Sequence, residues 1–325
     1  MATVDPRATS TASAPAATRR TSRRWSLLMH MASGFTRCVY WIYSLQPKDN
    51  PYLLAPIVGW FIRTPAYFGI RKKMRLIWGN RPDGRERWRA FWPAHRQHVG
   101  LNVLEPDPLA HTPPEIIRQI MTIRGEEHLR AAVAQGRGAM LFINHCGPSS
   151  VGPLLARFGY DLTFAGDAML VPHLEEWLQG IFHQVGAHRV LLGDDLPQRV
   201  AEVFKRNGIF ATFTDLTTSP KHTVWLPLGA AEICVPYGPA VLALRHRVPV
   251  LYLESIRLPG NRYEAVIHPV PVPVDGNLTE RAQALMGEAT KLLERAVNKN
   301  AEQWWALDYV KLRAASTSSP RYGRK

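Results

Sequence analysis

The stretch Gly138-Ala-Met-Leu-Phe-Ile-Asn-His-Cys-Gly-Pro-Ser-Ser150 constrains this chain more than any other. Five apolar residues, Ala139 to Ile143, run straight into Asn144 and His145. An apolar run of that length bounded by glycine predicts a strand buried on both faces, as in a parallel sheet covered by helices. A Gly-Pro turn follows, then Ser149 and Ser150, then a new apolar run from Val151. Serines in that position predict a helix N-cap. His145 is therefore expected at the carboxyl end of a core strand, inside a strand-to-helix turn. Open α/β sheets bind their ligands at that rim.

The rest of the chain follows the same grammar. After proline-rich 106–114, Glu115 to Gln135 reads as helix with a break near Gly125, where two glutamates open a turn that Gly136 closes. Strands are expected at 162–165, 190–192, 209–214, 249–253 and 262–268. Helices are expected at 173–185, 196–207, 235–245, 278–298 and 302–313. Val270-Pro-Val-Pro-Val reads as an edge or extended segment, because proline cannot donate to a ladder. The fold class predicted is α/β: a mixed, largely parallel sheet flanked by helices, with a helical N-terminal region. Residues 1–24 read as a disordered basic tail. Residues 25–110 read as the helical region, 111–313 as the α/β domain and 314–325 as a polar tail.

Charge narrows the partners. The 325-residue chain carries 40 Lys+Arg against 26 Asp+Glu, a formal net charge of +14. Nucleic acid, an anionic membrane surface or an acidic carrier protein all suit that balance. Three cysteines without paired spacing, Cys38, Cys146 and Cys234, argue against a disulfide framework or a zinc site. No run of 18 uncharged apolar residues exists, so no transmembrane helix is expected. The nearest approaches, 25–45 and 52–70, are interrupted by Arg37 and Arg63 and rich in aromatic residues, as interfacial segments are. The basic and aromatic pattern of 71–92 fits either a phosphate-tracking surface or an amphipathic helix with tryptophan inside and arginine outside.

His145 is the leading candidate for chemistry, since a histidine in a polar strand-end turn can take a proton from a hydroxyl. Asn144 and backbone N–H groups of the turn could orient it or steady an oxyanion. Cys146 is adjacent, but neighbours on a strand point to opposite faces, which speaks against a Cys–His pair. Asp215 ends the strand at 209–214 and stands on the same predicted rim as His145. Ser149 and Ser150 read most simply as caps, and Gly229 and Gly238 as turns. None of the glycines has nucleotide-loop spacing.

Taken in order, these pieces resemble a known family. Gly125-Glu-Glu-His-Leu, then Gly136-Arg-Gly-Ala-Met-Leu-Phe-Ile-Asn-His145-Cys-Gly, is similar to the first block of the lysophospholipid acyltransferase superfamily. It is most similar to the branch containing the bacterial lipid A late acyltransferases and the phosphatidylinositol mannoside acyltransferases. Gly208-Ile-Phe-Ala-Thr-Phe-Thr-Asp215, Leu226-Pro-Leu-Gly229, Gly238-Pro-Ala, Arg262-Tyr263 and Glu302-Gln-Trp-Trp-Ala-Leu-Asp-Tyr resemble later family pieces in the right order. The likeness spans roughly residues 70–313.

The resemblance implies acyl transfer from a carrier thioester, on acyl carrier protein or CoA, to a hydroxyl or amine, with His145 as general base and no metal or cofactor. It makes His145, Ser150 and Asp215 the catalytic candidates. Asn144, Cys146, Gly147, Gly229 and Arg257 become the substrate-binding ones. The family signature places Asp or Glu five positions after the histidine, to orient it. Here that position is Ser150. Another acid such as Asp215 or Asp167 substitutes, or the acceptor is more nucleophilic than a sugar hydroxyl, or the chain is inactive.

Three functions remain open on the sequence. One is a lipid or glycolipid acyltransferase, peripheral on the inner face of the plasma membrane. Another is a specialised transferase acting on a soluble acceptor, with aminoacyl-tRNA among its donors. The third is a binding homologue without activity.

Overall fold

The computed structural model describes residues 53–79, 81–169, 172–217 and 221–315. The expectations for 1–24, for the 25–45 segment and for the tail beyond 315 lie outside these residues. Ten strands are present among the described residues: β1 (Met121–Arg124), β2 (Ala139–Ile143), β3 (Leu162–Gly166), β4 (His188–Leu191), β5 (Ile209–Phe213), β6 (Thr223–Leu228), β7 (Ala231–Pro236), β8 (Val250–Leu258), β9 (Arg262–Pro269) and β10 (Leu312–Ala314). Seven of them form the main sheet in the order β1-β9-β8-β2-β5-β3-β4. Every pairing in it is parallel except β8 with β9. The expected class, a mixed and largely parallel sheet with flanking helices and a helical N-terminal region, is what the chain adopts.

Strand β2 is central because it is apolar on both sides. All five of its residues are buried. Met140 and Phe142 enter one core layer, and Ala139, Leu141 and Ile143 enter the other. A one-residue slip would exchange the two sets, so the register is strongly specified. The first layer is built with the long helix Leu278–Asn300, which buries Leu285, Met286, Ala289 and Leu293. Asn277 starts that helix with a full capping box, its side chain accepting from Thr279 and Glu280 N–H while Glu280 reaches back.

The N-terminal helices are α1 (Ala55–Arg63), α2 (Tyr67–Trp78) and α3 (Gly84–Leu104). Helices α1 and α3 cross backbone to backbone through Gly59 and Gly100. A Cβ on Gly59 would overlap the Arg96 carbonyl, and one on Gly100 the Ala55 carbonyl. Short helices α4 (Pro106–His111) and α5 (Pro114–Ile120) lead into the sheet, followed by α6 (Glu126–Val133).

The structure corrects three expectations. The break near Gly125 contains a strand, β1, which pairs with β9. It is four residues long, too short for a period to show. The helix expected from Val235 begins at Gly238, and β6 and β7 form a hairpin before it, joined by the turn at Gly229. Proline at 227 and the small residues at 229–231 hide that hairpin's alternation. Residues 302–313 are not a helix. They form a 3₁₀ turn (Ala301–Gln303), a run of turns, and β10 against β7. Their tryptophans are held by long-range contacts, which no local periodicity reports. Val270–Val274 joins no strand.

Candidate active site

The sheet register brings His145 to Asp215. Ile143 on β2 is paired with Phe213 on β5. Two residues further, with side chains back on the same face, come His145 and Asp215. Thr214 fastens the step, its N–H and hydroxyl both donating to the Ile143 carbonyl. Asp215 Oδ1 accepts from the His145 ring at Nδ1, 2.7 Å away, and Oδ2 from the His145 N–H at 2.9 Å.

Asp215 is fully buried. Burial alone pushes its carboxyl up. The His145 ring opposes this, as do the donors on its oxygens, among them Trp304 Nε1 at 2.8 Å, and the net direction is downward. A carboxylate accepting from Nδ1–H fixes the tautomer in which Nε2 carries the lone pair. The ring is also held by packing. Phe213 stacks on it at 3.8 Å between centroids, and Trp305 meets it edge-on at 4.9 Å. Nε2 has no hydrogen-bond partner among the described residues.

The other residues singled out in the sequence have different surroundings. Asn144 is buried with both ends engaged, its amide donating to the Tyr252 hydroxyl and its oxygen accepting from Cys146 N–H at 2.6 Å. The N–H groups of Gly147, Ser149 and Val151 are bonded to Gln303, Asn102 and Pro148. The turn is thus closed by its own bonds rather than open as an anion nest.

Cys146 lies in the opposite core layer from β2's Ile143, with its thiol 3.5 Å from the Asn300 carbonyl. Burial first, and then the Asp215 charge, raise that thiol well above its ordinary range. Gly147 has φ +109°, and a Cβ there would overlap the Ser255 carbonyl, so only glycine lets this turn lie against β8. Gly229 sits in the β6–β7 turn, where its N–H donates to Glu294 at 2.9 Å. Asp167 is met by Arg189 through its backbone carbonyl.

Ser150 occupies the N-cap of α7 (Val151–Leu154), but its side chain makes no cap bond. Its hydroxyl instead reaches Glu105 Oε1, at 3.5 Å. Glu105, at the end of α3, is fully buried and forms a two-pronged pair with Arg257, at 2.6 and 3.2 Å. Tyr263 donates to the same carboxylate at 3.2 Å. Burial raises the Glu105 carboxyl, while Arg257, Tyr263 and Ser150 pull it back. Arg257 is completed by Asn102 at 3.0 Å and by His98 Nδ1 at 2.8 Å.

A third element closes the site. Gln303 exchanges two bonds with the Arg257 backbone and its carbonyl accepts from Gly147 N–H. Trp304 holds Asp215, and Trp305 N–H donates to the His145 carbonyl at 3.1 Å. Three consecutive residues thus hold the site, Gln303 and Trp305 at the histidine turn and Trp304 at Asp215. Tyr252 and the separate duties of Trp304 and Trp305 leave no sign in the sequence. A lone carboxylate set in the apolar run Val103-Leu104-Glu105-Pro106 was the one available sign of Glu105.

Fold and site together define an α/β protein with an imidazole–carboxylate pair on the carboxyl rim of its sheet. More particularly, the sequence profile of the bacterial lipid A biosynthesis acyltransferase family matches residues 35–309, and the chain belongs to that family. Comparison with curated proteins finds no match. Family membership makes the protein an acyltransferase-type transferase with a lipid-like acceptor.

Proposed function

We propose that this protein transfers an acyl group from a carrier thioester, acyl carrier protein or acyl-CoA, to a hydroxyl of a lipid-like acceptor, with His145 as general base. The observation that carries the reading is the 2.7 Å contact between His145 Nδ1 and buried Asp215. Nε2 takes the proton of the acceptor hydroxyl as its oxygen attacks the thioester carbonyl. The Asp215 carboxylate orients the ring and stabilises the imidazolium formed. When the tetrahedral intermediate collapses, the C–S bond breaks and the imidazolium returns its proton to the departing thiolate. Atoms and charge balance with no metal or cofactor taking part.

Asp215 also bears on the departure at Ser150. With a buried carboxylate already on the ring, the loss of the motif's own acid does not require a more nucleophilic acceptor. That favours the lipid hydroxyl over a soluble amine. Arg257, Ser150 and Glu105 act in this reading as a buried frame behind the turn.

Purified protein should be assayed with labelled acyl carrier protein and acyl-CoA against a hydroxyl lipid. The His145→Ala variant is expected to lose about 10²–10⁴-fold in turnover, the usual contribution of a general base. Equal turnover by both proteins would contradict the role of His145. Transfer to a soluble amine with none to the lipid would move the reading to the specialised transferase.

A further inference from the structure

Position 150 faces Glu105. Ser150 is buried, and its hydroxyl lies 3.5 Å from Glu105 Oε1. Among the described residues no bond joins it to the His145 ring, which is held by Asp215, Phe213 and Trp305. The same Oε1 accepts from Arg257 Nη2 at 2.6 Å. One carboxylate oxygen therefore sits between the serine hydroxyl and the guanidinium. An acidic side chain at 150 would enter the space that this oxygen fills and meet the same cation.

Arg257 needs an anion at that point. It is 7% exposed, and Glu105 is the carboxylate bonded to it. A buried cation stripped of its partner is strongly unfavourable. Its other side-chain bonds go to uncharged acceptors, His98 Nδ1 and Asn102 Oδ1. Asn102 carries the hold onward to the histidine turn. Its Oδ1 also accepts from Ser149 N–H, and its amide donates to the Gly147 carbonyl, both at 3.4 Å. From the other side Gln303 bonds the Arg257 backbone and accepts from Gly147 N–H. Ser255, two residues before Arg257 on β8, lies so close to Gly147 that no Cβ fits between them. The turn that follows His145 is thus fixed by a chain of contacts that starts at Glu105.

We propose that Glu105 is the motif's acid relocated. It supplies from α3 the carboxylate that position 150 lacks, and through Arg257 and Asn102 it positions the turn that presents His145. Glu105 is a positioning residue, since it acts on the ring only through others. The compensation comes from 45 residues upstream, outside the motif. It also gives serine at 150 a reason. With a carboxylate already on Arg257, a small neutral side chain fits that place and a second acid does not. The effect on rate rests on the acyl-transfer reading, whereas the relocation of the charge does not.

The test exchanges the two residues. Glu105→Ser leaves Arg257 without its anion, and Ser150→Glu sets two carboxylates on one cation, so each alone should lower the thermal unfolding midpoint. The protein carrying both changes returns one carboxylate to one guanidinium, and its midpoint should rise back toward wild type. Transfer from labelled acyl-CoA to a hydroxyl lipid should follow the same order. Glu105→Ser is expected to lower kcat by about 10²-fold with KM little changed, the scale of a small displacement at a reacting group, and the exchange should recover about tenfold of it or more. Glu105→Gln keeps the size and removes the charge, and it too should lower kcat. An exchanged protein with a midpoint no higher than either single variant would overturn the proposal. Should Glu105→Ser yield no folded protein, a folded exchanged protein supports the proposal and an unfolded one overturns it. Recovery of the midpoint without recovery of kcat would overturn the positioning role, as would Glu105→Gln at the wild-type kcat. If wild type transfers no acyl group, the acyl-transfer reading fails by itself, and the midpoints still decide the relocation.

Discussion

Ser150 illustrates how a residue's surroundings can reverse the meaning of an obvious substitution. Judged by the motif alone, Ser150→Glu restores the family's carboxylate. In the structure it would set a second carboxylate against fully buried Glu105, beside the single guanidinium of Arg257. Leaving a buried charge without its own partner costs about 3–5 kcal/mol. Ser150→Glu is therefore expected to lower the unfolding midpoint and the soluble yield. Ser150→Ala should cost no more than about 1 kcal/mol, since it removes one long hydrogen bond. Urea unfolding of the two variants checks this, and a Ser150→Glu protein as stable as wild type would contradict the packing around Glu105.

Two histidines make the fold sensitive to acid. Burial, and then the Arg63 charge, hold His95 down to about 3. Burial, and then Arg257, hold His98 down to about 4. His95 Nδ1 meets the Glu302 carbonyl, and His98 Nδ1 must stay unprotonated to accept from Arg257. Both are neutral when folded and protonate readily when unfolded, so the unfolded chain binds more protons below the ordinary histidine pKa. Their contribution is complete above pH 6.5 and is lost as the pH falls toward 4 and then 3. The slope is about 1.4 kcal/mol per pH unit for each histidine. Unfolding free energies measured at pH 7.5, 6 and 5 should show this fall, and it should lessen in a His98→Gln protein. A flat profile would contradict it.

At the scale of elements, what the sequence made legible was whatever the strands alone determine. Apolar β2 and β5, each followed by a polar residue, are enough to place His145 and Asp215 on one rim of the sheet. The register of a parallel pair then did the rest. What stayed hidden came from outside the sheet. Glu105 arrives from α3, and Trp304 and Trp305 from a segment that reads as helix and is instead a chain of turns. Contacts of 89 residues' separation, such as Trp304 with Asp215, leave no local pattern. The hairpin β6–β7 leaves no clear pattern for a related reason, since proline and glycine break its alternation.

The crossing of α1 and α3 is a further element whose logic is local once seen. Gly100→Leu would force a side chain into the Ala55 backbone. Overpacking of this kind costs about 1–3 kcal/mol. Because Arg63 on α1 donates to the Trp305 carbonyl, the same variant should lose acyl-transfer activity as well as stability. Loss of neither would show that the helices are not held by this contact.

The whole molecule sets three surfaces around one turn. The sheet supplies His145 and Asp215, α3 supplies the buried frame of Asn102 and Glu105, and the C-terminal segment closes over both. Family membership indicates an acyltransferase-type transferase, and the proposed chemistry takes its orienting carboxylate from Asp215. No helix among the described residues is long and apolar enough to cross a membrane. The net charge of +14 is spread through the chain, but α2 gathers part of it beside exposed aromatic rings.

In the proposed mechanism Asp215, and not residue 150, orients the histidine. Single-turnover acyl transfer by Asp215→Asn measures it directly. Asparagine keeps the size and removes the charge, so the protein should remain folded while the rate falls by about 10²–10⁴-fold, as in other triads whose orienting acid becomes an amide. A folded Asp215→Asn protein that transfers the acyl group at the wild-type rate would contradict the account.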